Sequence, residues 1–256
     1  MAYLPGLREF ARAAMARVPT TCGLCRDSAR GGGLCAYCRH AVLHSMRAHV
    51  PRCAVCCLRL SGHGRCPDCA QRPPAFDRII AAFDYAEPGD LLIHYLKVQR
   101  QFTSAGMLAG LLADAVQAGG AGLPPDAVLV PVPSSRGALL RRGFNPAAEV
   151  AQGLARRLHR PYRPELLFRV REGRRQASLG RAARWHSAQS LYGCARAIPG
   201  AHVAVIDDVL TTGSTLHSAA LALKAAGAAS VWGLVLARTP YPGIEGPAVP
   251  TRGGME

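Results

Sequence analysis

Lysine is almost missing from this chain. It occurs twice, at Lys97 and Lys224, among 31 basic residues. Acidic residues are also scarce, 16 in all, which leaves a formal charge of +15. Aromatic residues make up 6%, too few for a surface built chiefly of base-stacking rings. Phe144, Tyr162, Phe168 and Trp185 are the candidates for stacking, and each reads first as core. Long apolar runs are absent as well. None approaches the roughly 20 residues of a membrane helix, and Arg8, Glu9 and Arg12 interrupt the N-terminal apolar positions, unlike a signal peptide. The expectation is a cytoplasmic protein without membrane insertion.

What is present is arginine, alanine, glycine and cysteine. Part of the arginine bias is of the kind that genomic base composition produces, but the excess is also local. From Arg136 to Arg184 there are thirteen arginines against Glu149, Glu165 and Glu172. Such a strip suits polyanions; the plainer reading is a solvated face. With 256 residues, about half of them apolar, the chain can form one α/β domain and a small module.

The cysteines define that module. Cys22-x2-Cys25-x9-Cys35-x2-Cys38 is followed by Cys53-x2-Cys56-x9-Cys66-x2-Cys69, the same spacing twice. Disulfides are rare in a cytosolic chain. A CxxC pair forms a knuckle presenting two thiolates to one tetrahedral ion, and two knuckles complete a four-cysteine site. This predicts tandem zinc ribbons holding two structural zincs. Cys22 and Cys25 can pair with Cys35 and Cys38, or with Cys53 and Cys56 in a crossed arrangement. Cys57 and Cys194 are left over; Cys57 could substitute for Cys56. His40 and His44 read as helix-surface residues. Few large apolar side chains lie in this segment, so metal is expected to hold it together.

The rest of the chain is organised around Val203–Thr215. Val203 to Ile206 is an apolar run suited to a buried parallel strand. Asp207 and Asp208 follow, then Thr211, Thr212, Gly213, Ser214 and Thr215. Leu216, Ala219, Ala220 and Leu223 then recur at helical spacing until Gly227,. Amides at such a helix start can converge on a phosphate, and Gly213 allows close approach. The paired carboxylates suit ribose hydroxyls or a hydrated Mg²⁺. A sugar with a 5-phosphate has both groups at that spacing. The stretch looks like the phosphoribosyl-pyrophosphate (PRPP) motif of type I phosphoribosyltransferases. The bland alternative is a generic strand–loop–helix turn with an acidic tip.

Around it, residues 3–18 read as an amphipathic helix, Arg78–Tyr85 as a strand, and Asp90–Lys97 and Ser104–Gln117 as helices. Ala127–Val130 is a strand that Pro131 and Pro133 stop, delivering Ser134, Ser135 and Arg136, which suit a diphosphate. Asn145 caps a helix with Pro146 at its first position. Leu166–Val170 is a third strand candidate, residues 171–187 a polar loop, and Ser230–Ala237 a closing strand. The domain boundaries are 1–20 for the N-terminal helix, 21–72 for a double zinc ribbon, 73–240 for the α/β domain and 241–256 for a disordered tail.

Together, the paired knuckles, Tyr95-Leu96-Lys97, Val130-Pro131-Val132-Pro133, Arg142-Gly143-Phe144-Asn145, Gln176 with Leu179 and Arg184, and Asp207 through Thr215 resemble the ComF (GntX-like) family over roughly residues 15–240. Pro146, Ser187 and Cys57 depart from the family's usual residues. The resemblance implies a type I phosphoribosyltransferase-like open parallel sheet with helices on both faces, preceded by the Cys-rich module. It also implies a role in natural transformation, supporting incoming single-stranded DNA on the cytoplasmic side with the DNA-uptake machinery.

In that setting Asp207 and Asp208 would hold the ribose, directly or through Mg²⁺, and Thr211 to Thr215 the 5-phosphate. Ser134, Ser135 and Arg136 would hold the pyrophosphate, Lys97 would contact the ligand, and Arg175, Gln176 and Arg184 would close over it. The alternative function is an active PRPP-dependent phosphoribosyltransferase of nucleotide salvage, with an unassigned acceptor base.

Overall fold

The structure, a computed structural model, describes residues 14, 17–47, 50–62, 64–98, 102–118, 122–170, 191–241 and 243. Most of the expected 3–18 helix, the 171–187 loop and nearly all of the tail beyond 240 lie outside the described residues.

The cysteine-rich segment opens with a two-stranded antiparallel ladder of β1 (Pro19–Thr21) and β2 (Ser28–Arg30), followed by helix α1 (Ala36–Arg47). A second unit carries an Arg52–Arg59 bridge and the one-turn helix α2 (Pro67–Gln71). Neither unit stands apart from the body. Val42 and Leu43 of α1 join the core beneath the main sheet, and Cys56, Leu58 and Cys66 join the core on the other side.

The body is a four-stranded parallel sheet in the order β3-β8-β7-β4, with β3 Arg78–Asp84, β4 Val128–Pro131, β7 His202–Leu210 and β8 Ser230–Arg238. One face is covered by α3 (Gly89–Val98), α4 (Phe102–Ala118) and α6 (Pro146–Leu158). The other face takes α7 (Ser214–Ala225) together with the second cysteine unit. Alternation sorts the strand residues: in β7, Val203 and Val205 face α7, while Ala204 and Ile206 face α4 and α6. Gly233 of β8 lets α7 lie close, since a Cβ there would come 2.7 Å from Leu216 and 2.3 Å from Ile79.

Three boundaries differ from the sequence expectation. β4 includes Pro131, because β4 is the sheet's outer strand and the missing N–H faces away from β7,. β7 runs through the aspartates to Leu210, because β8 keeps pairing with it as far as Leu210–Arg238. Leu167–Arg169 (β5) forms a strand but not in the main sheet; it pairs antiparallel with Tyr192–Cys194 (β6), a two-stranded hairpin base at either end of residues 171–190.

A buried ion cluster fastens the second cysteine unit to the sheet. Asp84, at the end of β3, accepts from Arg52 at 2.9 and 2.8 Å and from Arg59 at 2.9 Å, while Arg52 also donates to the Ser45 carbonyl. The carboxylate is 5% exposed. Removing one partner of such a cluster leaves buried charge uncompensated, at a cost of about 3–5 kcal/mol. Asp84→Ala is therefore expected to lower stability by that amount in a denaturant titration; a loss of under about 1 kcal/mol, typical of exposed pairs, would show the cluster to be incidental.

Candidate functional site

β4 pairs with β7 no further than Pro131–Ile206, whereas β7 continues four residues beyond. Asp207 and Asp208 therefore emerge where the sheet has lost its neighbour on the β4 side, the crevice where open α/β sheets take ligands. A cavity of about 520 Å³ opens there. Its lining includes Asp207, Asp208, Thr211, Thr212, Gly213, Ser214, Thr215, Ser134, Ser135 and Lys97. Ten of the predicted site residues thus meet in one place. Arg136 begins the short helix α5 (Arg136–Arg142) and is not among the lining residues. Arg175, Gln176 and Arg184 lie outside the described residues.

Strand alternation also separates the two carboxylates. Asp208 turns toward α3, where the Lys97 ammonium pairs with it at 2.9 Å. Asp207 turns toward Tyr192 of β6, whose phenol is raised to about 12 by burial and by the Asp207 charge, despite Arg169 nearby. Asp207 accepts from the Asp208 amide at 2.9 Å. Burial, and then the neighbouring charge of Asp208, push the Asp207 carboxyl up to about 7, against the opposing pull of Lys97.

A raised carboxyl means that the folded state holds this proton more tightly than the unfolded chain, whose value is about 3.9. The stability this group contributes is complete below about pH 4, falls as pH rises toward about 7, and is level above that. Asp207→Asn removes the fall. Its melting temperature relative to the wild type should therefore climb between about pH 4 and pH 7; a constant difference across that range would contradict the shift.

The loop after β7 leads into α7 through Gly213, which sits in the left-handed region at φ 80°. Phe76 packs behind it, 3.4 Å from where a Cβ would lie. No side chain caps this helix. Ser214 N–H approaches the Thr212 hydroxyl at 3.4 Å, and among the described residues the amides of Thr212, Gly213 and Thr215 join no backbone hydrogen bond within the protein. An uncapped helix start with open amides attracts anions. On the opposite wall the serines are already engaged: Ser135 caps α5 by accepting from Ala138 N–H, and Ser134 donates to Asn145 Oδ1. Asn145 in turn caps α6 and donates to the Val132 carbonyl. These bonds fix the turn after β4 rather than leaving its hydroxyls free.

Among the cavity residues that sequence reasoning left out of the site are Arg142, Arg169 and Tyr192. Arg142 lay inside the Arg-Gly-Phe-Asn run without being assigned to the site. Arg169 stacks on Tyr192, 5.5 Å from its ring centre, and donates to its hydroxyl at 3.3 Å. Nothing in the sequence separates Arg169 from its many arginine neighbours, and Tyr192 follows a stretch with no strand signal.

The cysteines resolve into two groups in sequential order, Cys22, Cys25, Cys35 and Cys38, and Cys53, Cys56, Cys66 and Cys69. The crossed pairing does not occur. Within each group the sulfurs lie within 4.8 Å of one another, with close pairs at 3.6 Å (Cys25–Cys35), 3.8 Å (Cys53–Cys69) and 3.5 Å (Cys56–Cys66). Tetrahedral Zn–S bonds of about 2.3 Å place sulfurs about 3.8 Å apart, so each group could hold one zinc. Hydrogen bonding from Cys69 and the charge of Arg238 bring Cys56 down to about 5 against its burial, while burial and the Cys56 charge raise Cys66 to about 11. Four thiols this close cannot all ionise without a cation. Cys57 is outside both groups, at φ 59°.

The parallel sheet, the acid pair at its open end and the helix-start loop define a phosphoribosyltransferase-type domain, here joined to two four-cysteine groups. Residues 138–244 match the family model for the phosphoribosyl transferase domain. The chain is 34% identical over 232 residues to the DNA utilization protein YhgH of Escherichia coli O157:H7, covering 88% of this chain and all of that protein. It is 31% identical over 215 residues to competence protein F of Haemophilus influenzae, covering 80% and 91%. The chain belongs to the ComF family. Among solved structures, Trypanosoma cruzi hypoxanthine phosphoribosyl transferase aligns at 21% identity with a TM-score of 0.33, over 54% of this chain and 64% of that one.

Proposed function

We propose that this protein binds PRPP or a related 5-phosphorylated ribose with Mg²⁺, carries a zinc in each four-cysteine group, and handles incoming single-stranded DNA on the cytoplasmic side during DNA uptake. The observation that carries the ligand reading is the meeting, in one cavity, of a carboxylate pair and an uncapped helix start with open amides. The loop Thr211–Thr215 takes the 5-phosphate and the carboxylates take the ribose hydroxyls or the cation. Lys97, Arg142 and Arg169 add positive charge for the pyrophosphate. Asp207 gives up its proton when a cation binds, so binding tightens as pH rises through about 7. Calorimetry with PRPP, with and without Mg²⁺, tests this reading; absence of binding under both conditions sinks it. Pyrophosphate release with free bases would separate a transferase from a binding protein.

The DNA reading is supported by the relatives' names and by the exposure of Arg141, Arg156, Arg157 and Arg163. Each phosphate contact to a single strand contributes about 0.7 to the slope of log affinity against log salt. Changing all four to glutamine is expected to flatten that slope by up to about 3 for an oligothymidylate. An unaltered slope would remove this surface from the reading. No helix among the described residues is long and apolar enough to cross a membrane.

A further inference from the structure

Arg238, the last residue of β8, is 1% exposed and fully enclosed by hydrogen-bond acceptors. One side of its guanidinium holds the phosphate loop: Nη1 donates to the carbonyls of Leu210 at 3.1 Å, Thr211 at 2.7 Å and Thr239 at 2.9 Å. The other side holds the second four-cysteine group. Nε donates to the Cys56 carbonyl at 3.1 Å, and Nη2 donates to Asp68 at 2.8 Å and lies 3.9 Å from the Cys56 sulfur. Asp68 lies within the knuckle Cys66-Pro67-Asp68-Cys69. The segment that would grip the ion therefore also grips the arginine.

We propose that Arg238 is a positioning residue that makes the phosphate loop dependent on the metal in the second four-cysteine group. A trans peptide is planar, so its C=O and the following N–H point in opposite directions. Pulling the Leu210 and Thr211 carbonyls back toward Arg238 turns the Thr211 and Thr212 amides the other way, toward the cavity. Thr212 and Gly213 line both that cavity and a crevice whose other walls include Cys56, Asp68, Cys69 and Arg238. The loop is a thin partition between the two sites. The ion sets the knuckles, the knuckles set Asp68 and the Cys56 carbonyl, and these hold the guanidinium whose remaining donors aim the loop.

Among the described residues the first four-cysteine group shows no such link. Its core consists of Cys22, Ala29 and Cys38 with their immediate neighbours, and it is tied to the body by α1 and by the Arg39–Asp114 pair. Among the described residues no hydrogen bond joins its cysteines to residues 207–239. The two zinc groups, alike in sequence, thus have different tasks: the first secures a surface unit and the second is part of the ligand site's foundation.

The inference rests on the phosphoribosyl reading for what the loop holds, though not for the coupling itself, and the test separates the two. Three full-length, zinc-loaded variants are compared with the wild type: Asp68→Asn, Arg238→Lys, and the double change Cys25→Ser with Cys38→Ser. Metal content, amide hydrogen exchange across residues 211–216, and calorimetric binding of ribose 5-phosphate with Mg²⁺ are measured. Asp68 is 17% exposed and asparagine keeps its shape and an acceptor oxygen, so Asp68→Asn still reads the link if Arg238→Lys does not fold. In Asp68→Asn, two zincs are expected to remain, while loop exchange rises about tenfold and binding weakens about tenfold, the scale of one lost charge-assisted hydrogen bond.

The first-group variant should lose one zinc and keep loop exchange and binding within about twofold of wild type, as uncoupled sites do. Wild-type exchange in Asp68→Asn, or equal loosening in the first-group variant, overturns the proposal. Should wild-type protein bind no ribose 5-phosphate while exchange still follows Asp68, the coupling stands and the phosphoribosyl reading falls.

Discussion

Changing Asp207 and Asp208 together to asparagine is expected to weaken PRPP binding at least about 100-fold, each charge-assisted hydrogen bond contributing ~1.5–3 kcal/mol, while the fold stays intact. β7 lies in the interior of the sheet, between β8 and β4, so a disruptive change there would be costly. Asparagine is not disruptive. Asp207 already leans toward its neutral form, with its carboxyl up to about 7 because of burial and the Asp208 charge, and an amide resembles that form. Asp208 loses its pairing with Lys97, both partners being partly solvated, and such a pair contributes ~1 kcal/mol or less. What the variant cannot do is supply negative charge to a divalent cation or strong acceptors to ribose hydroxyls. Calorimetry with PRPP and Mg²⁺, beside a thermal melt of the same sample, reads both halves of the expectation. An unchanged affinity would falsify the assignment of this site.

Metal removal is the second large effect. Elemental analysis should find two zincs per chain, and a strong chelator should unfold the cysteine-rich segment. Its strands are three residues long and α2 is a single turn, so backbone pairing alone does little to hold it. Structural zinc binding is worth about 10–16 kcal/mol in peptides of this kind at neutral pH, far more than these elements supply. Removal should also reach the body, because Cys56, Leu58 and Cys66 belong to the core beneath α7 and Asp84 is neutralised by Arg52 and Arg59 of the same segment. The expected record is a melting transition tens of degrees lower in chelator, recovered by added zinc. One zinc or none in the purified protein, or a melt indifferent to chelator, contradicts tandem metal sites.

Much of this molecule was legible because its signals are local. The helix from Pro146 to Leu158 carries its start in adjacent residues, Asn145 as cap and proline first, and the structure places both there. Apolar runs marked strands at Ala127–Val130 and Val203–Ile206, Arg78–Tyr85 and Ser230–Ala237 also read as strands, and all four lie in the main sheet. The acid pair, hydroxyl loop and helix were contiguous, so their common cavity followed from their order. The failures share a different cause. Strand β7 outran its apolar stretch because a partner strand kept pairing with it, and Leu167–Arg169 left the main sheet for a partner beginning 23 residues after it. Helix α5 was overlooked because its seven residues, with Leu139 and Leu140 exposed, show no buried stripe.

By itself the sequence determined the chemistry at hand: eight thiols in four knuckles, an acid pair, and a flexible turn entering a helix. Those depend on residue type and short spacing, which chain order preserves. Tertiary structure alone decided which knuckles share an ion, that Lys97 faces Asp208 while Tyr192 and Arg169 stand on the Asp207 side, and that Arg238 joins the loop to the second cysteine group across 182 positions of chain, counted from Cys56. Contacts of that range are set by how strands stack and which side chains the sheet's pleat sends to each face, and no local pattern records them.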